Sequence, residues 1–138
     1  MDKKEIFSVA IAGAATFFTY IFGSWDISLQ VLVAFMSLDY VTGVISGIVQ
    51  KNLSSAIGFN GLLRKFTIII VLIVSVLLDR LINQGTCVFR TIACYFYIAN
   101  EGISILENAG RLGLPLPDKL IEILSQLKEG NKKDLYKR

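Results

Sequence analysis

Four long apolar stretches, separated by short polar ones, constrain this chain more than any other feature of its sequence. They cover residues 6–25, 28–49, 66–82 and 86–106. A helix rises about 1.5 Å per residue, so about 20 apolar residues match the roughly 30 Å thickness of a hydrocarbon core. The pattern predicts an all-α membrane protein with about four transmembrane helices in residues 1–110. Residues 111–138 are predicted to form a short cytoplasmic amphipathic helix and a basic tail.

The composition excludes several classes of function. Hydrophobic residues make up 54% of the chain even without glycine, and charged residues make up 18%, against about 25% charged residues in soluble domains. The chain has no histidine, which removes histidine-based catalytic triads and metal sites, and its two cysteines are too few for a disulfide scaffold. Its basic residues gather near the C-terminus, which favours an anionic membrane surface over nucleic acid. We therefore expect no enzyme, no cofactor, no metal and no nucleic-acid partner.

The first apolar stretch follows a charged N-terminal segment, as the core of a signal peptide does. Its apolar part is longer than the roughly 7–15 residues of a signal core. It also ends in three aromatic residues, Tyr20, Phe22 and Trp25, and aromatic residues are typical of the membrane interface. We expect a retained transmembrane helix rather than a cleaved signal.

The second stretch contains Asp39 near its middle, where an acid facing lipid costs roughly 2.5–3.5 kcal/mol. Helical periodicity places Asp39 on one face with Thr42, Gly43, Ser46 and Gly47. The two glycines are spaced to let another backbone approach, which predicts a helix–helix contact. For Asp39, Thr42 and Ser46 two interpretations stay open: the wall of a watery pore, or polar residues hydrogen-bonded inside a bundle.

The third and fourth stretches differ in polarity. The third is rich in Ile, Val and Leu, follows polar turn-forming residues at positions 50–65, and ends in Asp79 and Arg80, which we expect to snorkel. The fourth carries Asn100, Glu101 and Ser104 on one face, and these join the predicted pore lining or polar interior. An interfacial or re-entrant helix is the alternative to a fourth crossing.

The distribution of positive charge predicts the topology. With four crossings and a cytoplasmic N-terminus, twelve of the 14 Lys and Arg residues lie inside, and only Arg80 and Arg90 lie outside. Three crossings would place the cations of residues 111–138 outside. Charge therefore favours an even number of crossings, with both termini in the cytoplasm.

The C-terminal segment is predicted to form an amphipathic helix that begins near Pro117 and ends at Gly130. Its apolar stripe would lie on the membrane surface or pack on a partner. The stripe consists of Leu116, Leu120, Ile123, Leu124 and Leu127. Each Lys or Arg of the charged end, residues 131–138, would add about 1 kcal/mol of attraction to anionic lipid.

Two groups of motifs carry a family resemblance. The first reads SLDYVTG at residues 37–43, followed by KNLSS at 51–55 and GLLRK at 61–65. The second reads SILENA at residues 104–109, followed by LGLPLP at 112–117. Together they resemble the phage lysis and toxin-secretion holins found with clostridial phages and toxin loci, over about residues 35–124.

The resemblance implies a small multi-pass protein of the bacterial cytoplasmic membrane that forms homo-oligomers in the lipid bilayer and opens a lesion. An endolysin or a large toxin would leave the cell through that lesion. The alternative from another class is a non-pore membrane adaptor or antiholin-like regulator that acts through the C-terminal helix. A membrane enzyme is disfavoured, because Asp39 and Glu101 are the only deep acids and no partner group stands at a set spacing from either.

Overall fold

The computed structural model describes the backbone of residues 1–136 and the side chains of residues 1–127 and 129. This part of the chain forms five α-helices and no strand: α1 Lys3–Phe22, α2 Ile27–Val49, α3 Ser55–Ile82, α4 Val88–Arg111 and α5 Asp118–Tyr136. The first three helices are long and apolar enough to cross a membrane. The all-α prediction is confirmed, and a fourth crossing by α4 stays a prediction.

The outermost helix is α1, which has no buried residue. It begins at a capping box made by Asp2 and Glu5 and packs mainly against α3, while Phe22 at its end also contacts the core. Arg80 of α3 donates a hydrogen bond to the carbonyl oxygen of Tyr20 at 2.7 Å, and its guanidinium lies 4.2 Å from the centre of the Tyr20 ring. Arg80 thereby ties the ends of α1 and α3 together while staying exposed, and its position at the membrane interface stays a prediction.

The third helix begins at Ser55, well before the predicted apolar stretch at residue 66. Ser54 caps it, with its hydroxyl oxygen accepting a hydrogen bond from a first-turn N–H at 3.2 Å. Gly58 and Gly61, which the sequence indicated as turn formers, lie inside the helix. Tyr40 of α2 occupies the space beside both glycines, 3.6 Å from where a Cβ would stand. The cap and this packing outweigh the low helix propensity of glycine.

The most buried helix is α4, although it is the least apolar of the first four. It contacts α2, α3 and α5, so its polar face meets protein instead of lipid. It runs beside α2 in the same direction, since Arg90 meets Asp26 at one end and Asn108 meets Thr42 further along. The apolar core between α2, α3 and α4 contains Leu29, Leu32, Met36, Ile68, Leu72, Ala93, Cys94 and Ile98.

The C-terminal helix folds back along α4. Leu124 lies 3.1 Å from where a Cβ of Gly102 would stand, and Leu116, just before α5, lies 3.3 Å from the same point at Gly110. From the predicted apolar stripe, Leu124 is buried and Leu116 is half-buried, whereas Leu120, Ile123 and Leu127 are 40–47% exposed. Contact of those three with a membrane or a partner stays a prediction. The predicted end of this helix at Gly130 is wrong, since α5 continues to Tyr136. The side chains of residues 131–138, the predicted charged end, lie outside the described ones.

Candidate functional site

A buried ion-pair network joins the middle of α2, α3 and α4. The ammonium group of Lys65 donates hydrogen bonds to a carboxylate oxygen of Asp39 and to one of Glu101. The three side chains are 13%, 14% and 6% exposed, in that order. A buried carboxylate without a counter-ion destabilises a fold by several kcal/mol. One cation therefore serves both of the deep acids that the sequence indicated.

A carboxamide extends this network between α2 and α4. Asn108 donates to Oδ1 of Asp39 at 3.2 Å and lies 3.1 Å from the Oγ1 of Thr42. Gly43 lies beside this carboxamide, and a Cβ there would stand at the ordinary contact distance of 3.6 Å from the Asn108 Nδ2. Asn108 is not among the predicted site residues, although it follows Ser104 at helical spacing on the same polar face.

An open cavity of about 860 Å³ lies beside the network, between α2, α3 and α4. At about 30 Å³ for each water molecule, that volume corresponds to roughly 30 waters. Its lining is mixed. Charged and amide groups come from Asp39, Asn60, Arg64, Lys65, Asn100, Glu101, Asn108 and Arg111, and apolar groups come from Val44, Leu53, Ile57, Leu63 and Ile68.

The predicted polar interior is partly assembled in the structure. Four of its members, Asp39, Asn100, Glu101 and Ser104, line the cavity. Thr42 contacts Asn108, and Ser46 is buried elsewhere on α2. That these residues line an open pore stays a prediction.

The two glycines predicted to contact another helix have close neighbours within the chain. Gly43 faces Asn108 of α4, and Gly47 faces Leu53 of the α2–α3 connection, 3.1 Å from where its Cβ would stand. A Cβ at Gly47 would crowd Leu53, whereas one at Gly43 would stand at ordinary contact distance from Asn108. A contact between copies of the chain through them stays a prediction.

A second buried network lies at the opposite end of the same helices. Asp79 of α3 accepts hydrogen bonds from the backbone N–H groups of Val88, Phe89 and Arg90, at 3.1, 2.8 and 2.8 Å. It thereby caps α4, whose own N-cap residue, Cys87, makes no side-chain capping bond. The prediction that Asp79 snorkels is wrong, because the unpaired N–H groups of a helix start bind the carboxylate inside the bundle.

Arg90 holds the α1–α2 connection against α4. Its fully buried guanidinium donates to the carbonyl oxygens of Phe22 and Ser24, at 2.6 and 2.7 Å, and to Oδ2 of Asp26 at 2.7 Å. The hydrogen bond from Arg90 lowers the pKa of Asp26 to about 2. Gly23 has a φ of +77°, and a Cβ there would stand 2.7 Å from the Arg90 Nε, so both conformation and space require glycine.

Comparison with known proteins agrees with the motifs. The chain matches the Bacteriophage holin family over residues 16–129. It belongs to that family. It is 33% identical to the Probable holin of Bacillus phage phi105, over 81% of this chain and 82% of that one. The matched residues contain both buried networks and most of α5.

Two further relatives come from bacteria and have names that assign no function. The Uncharacterized 14.9 kDa protein in nagH 3'region of Clostridium perfringens is 54% identical, over 89% of this chain and 92% of its own length. The Uncharacterized protein Lmo0128 of Listeria monocytogenes is 34% identical, over 88% and 86%. No solved structure matches the chain. The family and the three apolar helices identify a holin-like membrane protein.

Proposed function

We propose that this chain permeabilises the bacterial cytoplasmic membrane by assembling with copies of itself. The observation that carries the proposal is the Asp39–Lys65–Glu101 network beside an open cavity of mixed lining, inside a bundle whose outer surface is apolar. Charged groups within membrane helices are expensive and generally mark a path for water or ions. Family membership supports the same role.

The single chain corresponds to a closed state in this proposal. Within the described part of the chain, no buried side-chain nitrogen or oxygen lacks a hydrogen-bond partner, as a closed state requires. The weakest packing among its helix pairs is between α2 and α3, along the cavity. Opening there would admit water to Asp39, Lys65 and Glu101, and several chains opened in the same way would surround a hole.

The proposed topology places both termini in the cytoplasm, with four crossings. A central α4 beside α2 supports a fourth crossing, since a helix enclosed by protein needs less apolar surface than one facing lipid. The proposed cargo is an endolysin or a large toxin. This part of the proposal rests on the motif resemblance.

Leakage from vesicles tests the proposal. The purified full chain is reconstituted into phosphatidylglycerol–phosphatidylethanolamine vesicles that contain a small dye and a labelled protein. We expect both to escape above a threshold protein density, together with crosslinked ladders of the chain. Asp39→Asn and Glu101→Gln should insert normally but shift the onset or extent of leakage. Glu122→Gln, an exposed acid on α5, is the matched control and should behave as wild type.

The outcome that contradicts the proposal is retention of both contents by vesicles shown to hold inserted, oligomeric chain. Unchanged leakage in Asp39→Asn and Glu101→Gln would instead make the acids ordinary bundle residues. A non-pore adaptor is the second candidate, because α5 leaves Leu120, Ile123 and Leu127 half exposed. Replacing those three by serine should abolish an adaptor's function and leave leakage by the chain itself intact.

A further inference from the structure

The mouth of the cavity carries two cations that the ion-pair network does not use. Arg64 of α3 and Arg111 of α4 line the same cavity as Lys65. Lys65 is engaged by both Asp39 and Glu101. Among the described residues, neither arginine has a carboxylate oxygen within 4.0 Å. We propose that Arg64 and Arg111 bind the phosphate of an anionic membrane lipid in this cavity.

The chemistry of the two side chains favours a phosphate. A guanidinium presents donors in a planar fork that matches phosphate oxygens, and it stays charged at any physiological pH. The lining carries three cations, Arg64, Lys65 and Arg111, against the two acids that share Lys65, so its formal charge is positive. Asn60 and Asn108 line the same cavity and supply amide groups for the hydroxyls of a polar headgroup.

The shape and position of the cavity favour a lipid as the source of that phosphate. Leu53 and Ile57 line it and are 40% and 56% exposed, so an apolar path continues from the cavity to the outside of the bundle. A headgroup inside the cavity would contact its polar and charged residues, and the acyl chains would lie along this apolar path. Basic pockets between membrane helices on the cytoplasmic side bind anionic headgroups in this way. The inference does not require that the chain form a pore.

Native mass spectrometry of the full chain in detergent tests the proposal. After lipid removal, the chain is titrated with phosphatidylglycerol, with phosphatidylcholine of the same acyl chains, and with inorganic phosphate. We expect phosphatidylglycerol to bind at least about tenfold more tightly than either. Arg64→Gln and Arg111→Gln should each weaken its binding about tenfold or more, through loss of a charged hydrogen bond. Arg64→Lys should weaken it less, because the charge remains without the fork.

Lys119→Gln is the matched control, since it removes an exposed cation that does not line the cavity, and it should bind as wild type. Circular dichroism checks that each variant keeps its helices. Equal binding of phosphatidylcholine, or wild-type binding by both arginine variants, would overturn the proposal. So would arginine-dependent binding of inorganic phosphate as tight as that of phosphatidylglycerol, because the site would then hold a free anion. A chain that fails to permeabilise vesicles but passes this test would contradict only the proposed pore.

Discussion

Lys65 determines how much free energy the burial of two other side chains, Asp39 and Glu101, costs. Its ammonium contacts the carboxylates of Asp39 and Glu101 inside the bundle. Breaking a buried ion pair by removing one partner leaves a charge without compensation, whereas replacing every member by neutral groups is often close to neutral in free energy. The network therefore constrains which helices pack together more than it stabilises them.

We expect Lys65→Met to lower the free energy of unfolding by about 3–5 kcal/mol, because it leaves two facing carboxylates without a cation. The triple variant Lys65→Met, Asp39→Asn, Glu101→Gln should recover most of that loss. Denaturant unfolding in detergent, followed by circular dichroism, measures both. Lys119→Met on α5 is the control for loss of an exposed cation. A single Lys65 variant as stable as that control would contradict the role of the ion pairs.

The ionisation of Asp26 should make the free energy of unfolding depend on pH. The pKa of Asp26 falls from 3.8 to about 2, chiefly through its hydrogen bond from Arg90. A depressed pKa stabilises the fold fully above about pH 4, and the contribution disappears as the pH falls to about 2. Since the Asp26 side chain is 40% exposed, we discount the contribution to about 1 kcal/mol.

We therefore expect Asp26→Asn to be less stable than wild type by about 1 kcal/mol at neutral pH, with the difference vanishing near pH 2. Unfolding free energies of both proteins at about pH 7, 4 and 2 measure it. A difference that stays constant over this range would mean that ionisation of Asp26 contributes nothing to the fold.

At the scale of elements, α4 depends on its neighbours both at its N-terminus and in its middle. Asp79 of α3 caps its first turn, and α5 covers Gly102 in its middle. Gly102 has no Cβ, so Leu124 of α5 and Phe35 of α2 approach closely, each 3.1 Å from where that atom would stand. The glycine thus permits a contact between three helices at one point.

We expect Gly102→Ala to destabilise the chain by about 1–3 kcal/mol, because the added methyl group overpacks this contact. Leu124→Ala should lose about 2–5 kcal/mol through a cavity, and the double variant should lose less than the sum. Gly13→Ala is the matched control: nothing lies within 4 Å of that position on α1, so the change should be neutral or stabilising. Additive losses would show that α5 does not dock at Gly102.

At the scale of the whole molecule, the two cysteines report on topology. Cys87 is exposed in the α3–α4 connection and Cys94 is fully buried. With both termini in the cytoplasm, Cys87 faces outward. An impermeant maleimide should then label wild type but not Cys87→Ser in intact spheroplasts, before any permeabilisation. A C-terminal tag should be reached only after lysis. A tag accessible from outside would contradict four crossings and favour three with an interfacial α4.

Local sequence patterns predicted much of the architecture. Apolar runs of membrane length predicted α1 and α2 closely, because burial in lipid depends on consecutive residues rather than on distant contacts. The start of α3 was predicted too late, because residues 55–65 have the composition of a polar turn. In the structure they are helical, and Tyr40 of α2 packs beside their glycines. The sequence motifs were sufficient to identify the family. Helical spacing correctly placed Asp39 on one face with Thr42, and Glu101 on one face with Ser104.

The sequence by itself determined that this chain is helical, apolar enough for a membrane and a member of the Bacteriophage holin family. Only the tertiary structure decided which charges are partners. The sequence assigns Lys65 no partner and predicts that Asp79 snorkels, yet Lys65 pairs with two acids and Asp79 caps α4. Periodicity places a residue on a face of its own helix, whereas an ion pair or a cap between helices depends on which faces meet, and no local pattern contains that information.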